Sequence, residues 1–567
     1  MMRRVLRPLS SSRLVTGVTL IALIVLVILP TFYLISFVFL RWGDVWVEVF
    51  ANPIIGDENW RQILGVLFFS FRLSLFTIAF DLVFGVPLAY VLARKRFPGK
   101  GLLEDLITLP LVIPTSGFGF ATLITWTTVA GIGGILGLNQ GLVALDTVIP
   151  VINVPLMVFI VHVALTLPYI VRTLATKIQS IDTTFETAAR TLGANPLTTF
   201  RSVLLPLALP GIFSGTVLAF ARPLGETGAT LIVAGVSSTA SIAIVRWTAE
   251  FKLATAAFMG SLLVVIAWVL ILPVELYMGQ GHHAFRLPTR IPTTLIRRVI
   301  GFERLVSAKL TRLKDLAPLL VLGLTVIVPI LVVVNSLILY WSADPYTGKI
   351  QGGVVYQLFG PANYFQSLTT ASLTSIVVAL IATYVSTCIA MPLAFIIARQ
   401  RYGGVIRSLL KIPLIVPTSS LGLSVLLLWG SNGLNLVRSG IWLIILTHIV
   451  FSVPVIVESI LAAYEGSNLQ MYEDSARTLG ATAYNAIETV SLPLIKGGVI
   501  TGFILSFTHS LGETGATFIV MGRDITVPAL VVNMVEALAI PAALFTSTYL
   551  IALSMILLTI IRFTTRR

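Results

Sequence analysis

The chain has 567 residues, of which 56% are hydrophobic and 11% are charged, and its 38 Lys and Arg against 24 Asp and Glu give a formal net charge of +14. Soluble globular proteins carry about 25% charged residues, so a soluble fold could not cover this much apolar surface. The composition excludes a soluble enzyme, a disordered scaffold and a nucleic-acid binder. It indicates an all-α integral membrane protein. The one cysteine, Cys388, excludes an internal disulfide and a CxxC metal site.

Apolar runs that are long enough to cross a bilayer occur twelve times, because about 20 such residues span the ~30 Å hydrocarbon core. The run at 14–40 contains no charged residue, and we predict a retained helix rather than a signal peptide because no small-residue cleavage site follows it. The twelve predicted spans are 14–40, 66–93, 106–129, 151–171, 207–233, 255–277, 316–340, 370–398, 409–429, 441–461, 494–520 and 543–561.

Positive charge is distributed unevenly between the two sides of these spans. The connecting segments on the side of the chain ends hold 29 Lys and Arg, and those on the opposite side hold 7. The positive-inside rule therefore predicts that both ends are cytoplasmic. The basic stretch 281–315 is predicted to be a cytoplasmic linker that faces anionic lipid.

The two groups of six spans repeat each other in sequence. The tetrapeptide TLGA occurs at 191–194 and 478–481, and the hexapeptide GETGAT occurs at 225–230 and 512–517, both at an offset of 287 residues. Both copies start and end on the cytoplasmic side, so we predict a parallel repeat about a pseudo-two-fold axis along the membrane normal. The expected division is a first half at 1–280, the linker, and a second half at 316–567, with a central pathway between the halves.

A long cytoplasmic loop separates the fourth and fifth spans of each half, at about 178–204 and about 465–491. In the first loop Asp182 or Thr183 can cap a short helix, small residues permit close approach, and Gly193 suits the helix end because glycine adopts positive φ without strain. A second short helix then leads into the next span. A helix, a glycine turn and a helix on the membrane surface are suited to docking on another protein.

These loops resemble the EAA loop of binding-protein-dependent ABC importer permeases, and the resemblance covers nearly the whole chain as six spans per half. It implies that each loop is a coupling helix seated in a groove of the ATPase. The Glu of the family pattern falls at Thr187 and Asp474, and its first Ala at Ala188 and Ser475, while acids lie one residue before that Glu position. The coupling residues that the resemblance implies are Glu186, Ala188, Ala189, Gly193, Glu473, Asp474, Ala476 and Gly480.

The resemblance also implies partners. The chain has no GxxxxGK[ST] phosphate-binding loop, and its predicted outer loops are short. An importer permease of this kind therefore requires two copies of a cytoplasmic ABC ATPase and a separate extracytoplasmic binding protein. No cofactor and no metal site is expected in this chain, and the implied location is the cell membrane of a prokaryote.

Two further stretches, at 94–116 and 224–230, resemble molybdate and sulfate permeases, although those proteins commonly carry an aromatic residue at the position of Thr227. The favoured substrate is an inorganic oxyanion such as molybdate, tungstate or sulfate. Fused double permeases also occur among ferric-iron and thiamine importers, so these substrates stay open. An ion-gradient-driven secondary transporter that uses Asp81, Glu226 and Glu513 as carriers is the alternative of a different class, but it has no use for two matched docking loops.

Ionisable residues inside membrane spans cost free energy when they are buried, so their presence indicates function. Arg222 and Glu226 are four residues apart, so they share a face on a helix, and the repeat places His509 and Glu513 at the same positions. These four residues are predicted to form a polar ring in the pathway, or alternatively two ion pairs that only stabilise helices. Hydroxyls that follow helix-breaking prolines are further pathway candidates, or alternatively they only cap a kinked helix: Thr115, Ser116, Thr418 and Ser419.

Other polar residues have weaker assignments. Arg172 and Glu458 are equivalent in the repeat, which makes an ion pair across the halves one possibility. His162 and His448 are interpreted as core residues, and Asp81 has no acidic counterpart in the second half and receives no role.

Overall fold

A computed structural model describes residues 14–51, 55–279, 311–467 and 469–565 of the chain. Most of the predicted linker 281–315 and the basic N-terminal segment lie outside these described residues.

The first half contains the following elements in chain order: α1 Leu14–Leu40, α2 Trp42–Val45, α3 Ile55–Arg94, α4 Lys100–Val112, α5 Thr115–Thr127, β1 Val148–Ile149, β2 Val154–Pro155, α6 Leu156–Gln179, α7 Thr184–Thr191, α8 Pro196–Thr199, α9 Leu205–Gly225, α10 Gly228–Val233, α11 Ala240–Ala249 and α12 Leu253–Gly279. The strands β1 and β2 form a small antiparallel hairpin in which Val148 pairs with Pro155.

The second half repeats this order without the hairpin: α13 Thr311–Leu322, α14 Val328–Leu339, α15 Val354–Phe359, α16 Tyr364–Arg399, α17 Gly403–Ile415, α18 Thr418–Trp429, α19 Ile441–Gly466, α20 Leu469–Thr478, α21 Ala483–Ala486, α22 Leu492–Gly512, α23 Gly515–Val520, α24 Val527–Glu536 and α25 Ile540–Thr565. Segments of π-helix occur at Ile24–Ile28, Trp46–Ala51, Val129–Gly133, Phe200–Leu204, Gly323–Ile327 and Ile487–Ser491, and a 3₁₀ turn at Ile350–Gly352.

Within the described residues, ten helices are long and apolar enough to cross a membrane, or up to twelve segments if each of two bent pairs is one span. The bent pairs are α4 with α5, at 107°, and α17 with α18, at 104°. Pro114 and Pro417 stand just before α5 and α18 in extended conformation, and a proline in that place cannot continue the preceding helix. The all-α membrane fold is confirmed, with two of the twelve predicted spans sharply broken.

The predicted fifth spans are also interrupted. The sequence predicts continuous spans over 207–233 and 494–520, but α9 ends at Gly225 and α22 ends at Gly512, and short helices α10 and α23 follow. The breaks fall inside the repeated GETGAT motif, so both halves place this motif at the end of a long helix.

The two halves meet through reciprocal contacts. A Cβ on Gly225 would lie 3.2 Å from Cα of Pro417 in the other half, and a Cβ on Gly512 would lie 3.2 Å from Cα of Pro114. The same contact thus occurs twice with the halves exchanged, which is the property of a pseudo-two-fold relationship between the repeats.

The halves are also interleaved. The first spans exchange partners: α1 packs on α18 of the second half, and α14 packs on α5 of the first half. The Ser424 hydroxyl donates to the Pro30 carbonyl, and the Ser336 hydroxyl donates to the Ala130 carbonyl at 3.0 Å, so each exchange includes a hydrogen bond. Each of the two large apolar cores accordingly contains residues of both halves.

Candidate functional site

A polar cluster lies where the broken fifth spans of the two halves meet. Arg222 Nη2 is 2.7 Å from Glu226 Oε2, and Glu226 is almost fully buried. The helix α9 ends at Gly225, but the Glu226 N–H still donates to the Arg222 carbonyl at 2.9 Å, so the two residues pair at the last turn of α9 as their spacing predicted. The chain turns out of the helix after Glu226, and Glu226 Oε1 accepts the Ala229 N–H of α10 at 3.2 Å.

The second half repeats this arrangement with histidine in place of arginine. His509 Nε2 is 3.6 Å from Glu513 Oε2, and Glu513 Oε1 accepts the Ala516 N–H at 3.1 Å. Each glutamate therefore holds the start of a short helix with one oxygen and a cationic or ionisable partner with the other. The charged side chains are positioned by the helix break that the sequence pattern did not reveal.

The halves touch each other closely at the glycines of the GETGAT motif. A Cβ added to Gly228 would lie 2.6 Å from Oγ1 of Thr514 and 2.7 Å from Oγ1 of Thr115. A Cβ added to Gly515 would lie 2.5 Å from Oγ1 of Thr227 in the other half. No larger side chain fits at either glycine without displacing a neighbour, so the two halves are in contact at this level.

A cavity of about 40 Å³ remains between them, with room for a few water molecules. It is lined by polar residues of both halves, among them Arg222, Glu226, His509, Glu513, Thr115 and Thr418. Six of the eight predicted pathway residues thus come together, in a closed arrangement. Ser116 and Ser419 do not line the cavity: both are buried, and their hydroxyls have no hydrogen-bond partner among the described residues.

The two repeat-equivalent histidines of the fourth spans brace the short helices. His162 Nε2 is 3.1 Å from Thr230 Oγ1, and His448 Nε2 is 3.1 Å from Thr517 Oγ1. Both histidines are fully buried, as their interpretation as core residues predicted. Their partners are the last residues of the two GETGAT motifs, and this role for the threonines was not predicted from the sequence.

In the loops between the fourth and fifth spans, the carboxylates of Glu186 and Glu473 face their own chain. Glu186 Oε1 is 2.6 Å from Arg94 Nε, and Arg94 also donates to the Ile181 carbonyl at 2.8 Å. Glu473 Oε1 is 2.5 Å from Arg399 Nη2 and accepts the Ser491 hydroxyl. Both glutamates, which the resemblance implied as coupling residues, are buried, so neither carboxylate is presented to another protein.

Other side chains of the loops point outward. Phe185 and Tyr472, at the same offset of 287 residues, are 56% and 49% exposed, and Leu192 and Leu479 are each 89% exposed. Large apolar side chains at matched positions of two short polar helices form a typical protein-docking surface. These four residues were not predicted from the sequence, although their recurrence in both loops was a detectable signal.

The remaining loop candidates form the surface around these apolar residues. Gly193 and Gly480 have φ of +88° and +92° and end α7 and α20, as glycine at a helix end predicts. The other four predicted coupling residues are exposed or half-buried: Ala188, Ala189, Asp474 and Ala476.

Asp182 caps the first loop helix, and Thr183 does not. Asp182 Oδ1 accepts the Thr184 N–H at 2.9 Å and the Thr184 hydroxyl at 2.7 Å. The backbone N–H of Thr184 is the main cause of a lowered pKa of the Asp182 carboxyl. The helix therefore begins with a fixed negative charge at its positive end.

The ion pair that the repeat made possible between Arg172 and Glu458 does not form. Arg172 donates to the Thr108 hydroxyl in its own half, whereas Glu458 Oε2 lies 2.8 Å from Arg407 Nη2 in the second half. In both halves these contacts tie the first arm of the bent pair to the fourth span.

Asp81 lies fully buried on α3 and accepts the Thr166 hydroxyl. Within the part of the chain that the structure describes, no group of three His, Cys, Asp or Glu is placed to hold a metal ion.

Comparison with known proteins adds a family match in both halves. Residues 85–280 and 387–567 match the sequence model of the family described as "Binding-protein-dependent transport system inner membrane component". Both matched stretches contain the loop between the fourth and fifth spans and a GETGAT motif.

Individual relatives are similar to part of the chain. The molybdate/tungstate transport system permease protein WtpB of Pyrococcus furiosus is 36% identical over 219 residues, which cover 38% of this chain and 80% of the relative. The molybdenum transport system permease protein ModB of Escherichia coli strain K12 is 38% identical over 179 residues, covering 31% and 73%. The sulfate transport system permease protein CysT of Salmonella typhimurium is 31% identical over 230 residues, covering 40% and 77%.

Proposed function

Because the chain belongs to the family of binding-protein-dependent transport system inner membrane components, we propose that it is the complete membrane pathway of an ATP-driven importer, with both permease halves in one polypeptide. It is a multi-pass transport permease and not in itself an enzyme. Hydrolysis of ATP is assigned to a separate cytoplasmic subunit. The observation that carries this proposal is the duplicated docking loop beside a closed polar contact between the halves.

The two loops support docking of two ATPase copies. Each loop presents an aromatic side chain, Phe185 or Tyr472, and a leucine at the same relative position. Beside the second loop, a groove of about 980 Å³ is lined by Tyr464, Leu469 and Asp474 among others. Two matched apolar surfaces suit two copies of one partner, whereas a transporter driven by an ion gradient has no need for them.

The polar cluster is proposed as the narrowest part of the pathway. The halves touch at Gly228 and Gly515, so passage of a solute requires them to separate there. We propose that ATPase movement, transmitted through the loops, rocks the two halves about this contact. The alternative role of the cluster, as two ion pairs that only stabilise helices, predicts no effect of its charges on uptake.

An inorganic oxyanion is the proposed solute, with molybdate, tungstate and sulfate as candidates. The three relatives described above are named as molybdate, tungstate or sulfate permeases. Arg222 and a protonated His509 would balance Glu226 and Glu513, giving a cluster with no net charge. Such a cluster lets an anion pass without trapping it, so selection would rest with the binding protein that delivers it. Ferric iron and thiamine remain the alternative cargoes.

The proposed topology places both termini in the cytoplasm of a prokaryotic cell, with the β1–β2 hairpin and the other outer loops facing the binding protein. The excess of Lys and Arg on one side of the spans supports this orientation. The proposed division is a first half at 1–280, the basic linker at 281–315 and a second half at 316–567.

The test begins with gentle affinity purification of the chain from native membranes and mass spectrometry of what accompanies it. An ATPase with a phosphate-binding loop, at two copies per chain, is the expected partner. The complex with its binding protein is then placed in proteoliposomes, and uptake of molybdate, tungstate, sulfate, ferric iron and thiamine is measured with and without ATP. Uptake driven by an ion gradient without ATP would overturn the proposal.

The cluster is tested in the same vesicles. Arg222→Ala and Glu513→Ala are expected to lower uptake while the ATPase still copurifies. Normal uptake in both variants would leave the cluster with a purely structural role.

A further inference from the structure

Arg72 lies on α3, near the outer end of the predicted span 66–93. It precedes Arg94, at the cytoplasmic end of this helix, by 22 residues, which at 1.5 Å per residue is about 33 Å. This distance is close to the thickness of the hydrocarbon core, about 30 Å. Arg72 Nη2 donates to the Asn153 carbonyl at 3.2 Å, in the loop of the outer hairpin. The spacing and the contact with the hairpin loop indicate that the guanidinium lies toward the outer headgroup region of a bilayer.

No acidic side chain in the described part of the chain forms an ion pair with Arg72. Its contacts are the neutral Asn153 carbonyl and the ring of Phe69, whose centroid is 6.0 Å from the guanidinium carbon. Its Nε is buried and has no hydrogen-bond partner among the described residues. The equivalent position in the second half, at the offset of 305 residues that relates Arg94 to Arg399, is Val377, so the charge occurs in one half alone.

An apolar groove of about 370 Å³ extends from this guanidinium along the outside of the protein. Its walls include Phe68 and Leu75, which are 70% and 61% exposed, and Phe220 of α9. The exposed apolar walls suit a hydrocarbon chain, and the arginine at the groove suits a phosphate, which guanidinium binds with paired, charge-assisted hydrogen bonds.

We propose that this groove binds one phospholipid with an anionic headgroup, with its phosphate at Arg72, the headgroup beside Phe68 on the outer side and an acyl chain along Leu75 toward the membrane centre. A free anion would use the guanidinium but would leave the apolar groove empty, so a lipid fits the whole surface. The ring of Phe220 packs at a tilt against Phe71, with ring centroids 5.6 Å apart. Since Phe220 is two residues before Arg222, the bound lipid would contact the helix that carries the central polar cluster.

The test uses the purified full-length chain and native mass spectrometry with phosphatidylglycerol or phosphatidylcholine of identical acyl chains. We expect Arg72→Gln to weaken phosphatidylglycerol binding about tenfold and to have a smaller effect on phosphatidylcholine. Arg72→Lys keeps the charge without the paired geometry, so its affinity for phosphatidylglycerol should lie between those of the wild type and Arg72→Gln. The matched control is Arg61→Gln, on the same helix, where the guanidinium is exposed and already paired with Asp57 at 2.8 Å.

Equal affinity of wild type and Arg72→Gln for phosphatidylglycerol would overturn the proposal, as would an equal loss in Arg61→Gln. A competition with glycerol 3-phosphate separates a lipid from a soluble anion. Displacement of the lipid at equal concentrations would show that the site takes the free phosphate, and the lipid proposal would then be wrong. Persistence of the bound lipid supports it.

Discussion

Arg94 and Glu186 form a nearly buried ion pair that joins the end of the second span to the helix α7 of the first predicted coupling loop, and Arg399 and Glu473 repeat it in the second half. The loop helix is thereby fastened to the membrane part of its own half. Under the proposed function, a force that the ATPase exerts on the exposed face of the loop helix is passed to the span through this pair.

Removal of the first pair should uncouple the loop from the span. In Arg94→Gln the carboxylate of Glu186 loses its partner, and we expect a local loss of about 2–3 kcal/mol because both side chains are largely shielded from water. Uptake should fall while ATP hydrolysis by the assembled complex continues. The ratio of transported solute to hydrolysed ATP, measured in proteoliposomes, reports this directly.

The second pair provides a graded comparison. Arg399 is more exposed, at 31% of its side chain against 12% for Arg94, so Arg399→Gln should have the smaller effect. The exchange of charges in Arg94→Glu with Glu186→Arg should recover part of the coupling. An exchange variant as defective as Arg94→Gln would contradict a role for the pair itself.

The exposed aromatic residues of the loops should anchor the ATPase. Phe185→Ala or Tyr472→Ala is expected to weaken its association by about 2 kcal/mol each, or roughly 30-fold, since buried aromatic anchors dominate protein interfaces. Binding of the isolated ATPase to the permease in nanodiscs gives the dissociation constant. Tyr402→Ala is the control, because Tyr402 is 43% exposed but lies outside both loops. If all three variants bind the ATPase with equal affinity, Phe185 and Tyr472 do not anchor it.

The glycine contact between the halves should control leakage. A methyl group at Gly228 or Gly515 meets threonine oxygens at 2.5–2.7 Å, so Gly228→Ala and Gly515→Ala should destabilise the closed contact by about 1–3 kcal/mol. Passive efflux of a loaded anion from proteoliposomes without ATP should then rise. Gly497→Ala, where a Cβ meets nothing within 4 Å, should leave efflux unchanged. If Gly228→Ala and Gly515→Ala both assemble correctly and anion efflux does not rise, this contact does not act as a gate.

The glycine turns of the loops should be sensitive to charge. Gly193 and Gly480 are exposed and left-handed, and Asp and Asn both tolerate this conformation at a modest cost of about 1 kcal/mol. We expect Gly193→Asp or Gly480→Asp to lower uptake because a carboxylate is placed beside the apolar docking surface. Gly193→Asn, of the same shape without the charge, should be milder. Normal uptake in both Asp variants would count against a docking role for the turns.

The sequence predicted what depends on local composition. Apolar run length identified the spans, and the offset of 287 residues identified the repeat and brought the polar cluster together correctly. The breaks at Gly225 and Gly512 escaped prediction because the apolar stretches on either side of each polar GETGAT motif were counted as one continuous span.

Long-range contacts were the other gap. Glu186 and Glu473 were expected at the ATPase surface, yet their charge is satisfied by arginines that precede them by 92 and 74 residues. Neither partner can be chosen from one sequence, since hydropathy reports whether a residue meets lipid and not which helix it meets. The exchange of first spans between the halves was hidden for the same reason.

That exchange sets an order of assembly. The Pro30 carbonyl accepts a hydrogen bond from Ser424, which is 394 residues farther along the chain. At 5–20 residues per second, a ribosome needs about 20–80 s to supply this partner. Throughout that time the first helix can pack on α12 of its own half but lacks α18, so the nascent protein cannot complete either of its cores before the second half has been inserted. One polypeptide thereby guarantees that every early helix receives a partner in the correct ratio, but it also exposes each newly made molecule to membrane quality control until synthesis is nearly finished.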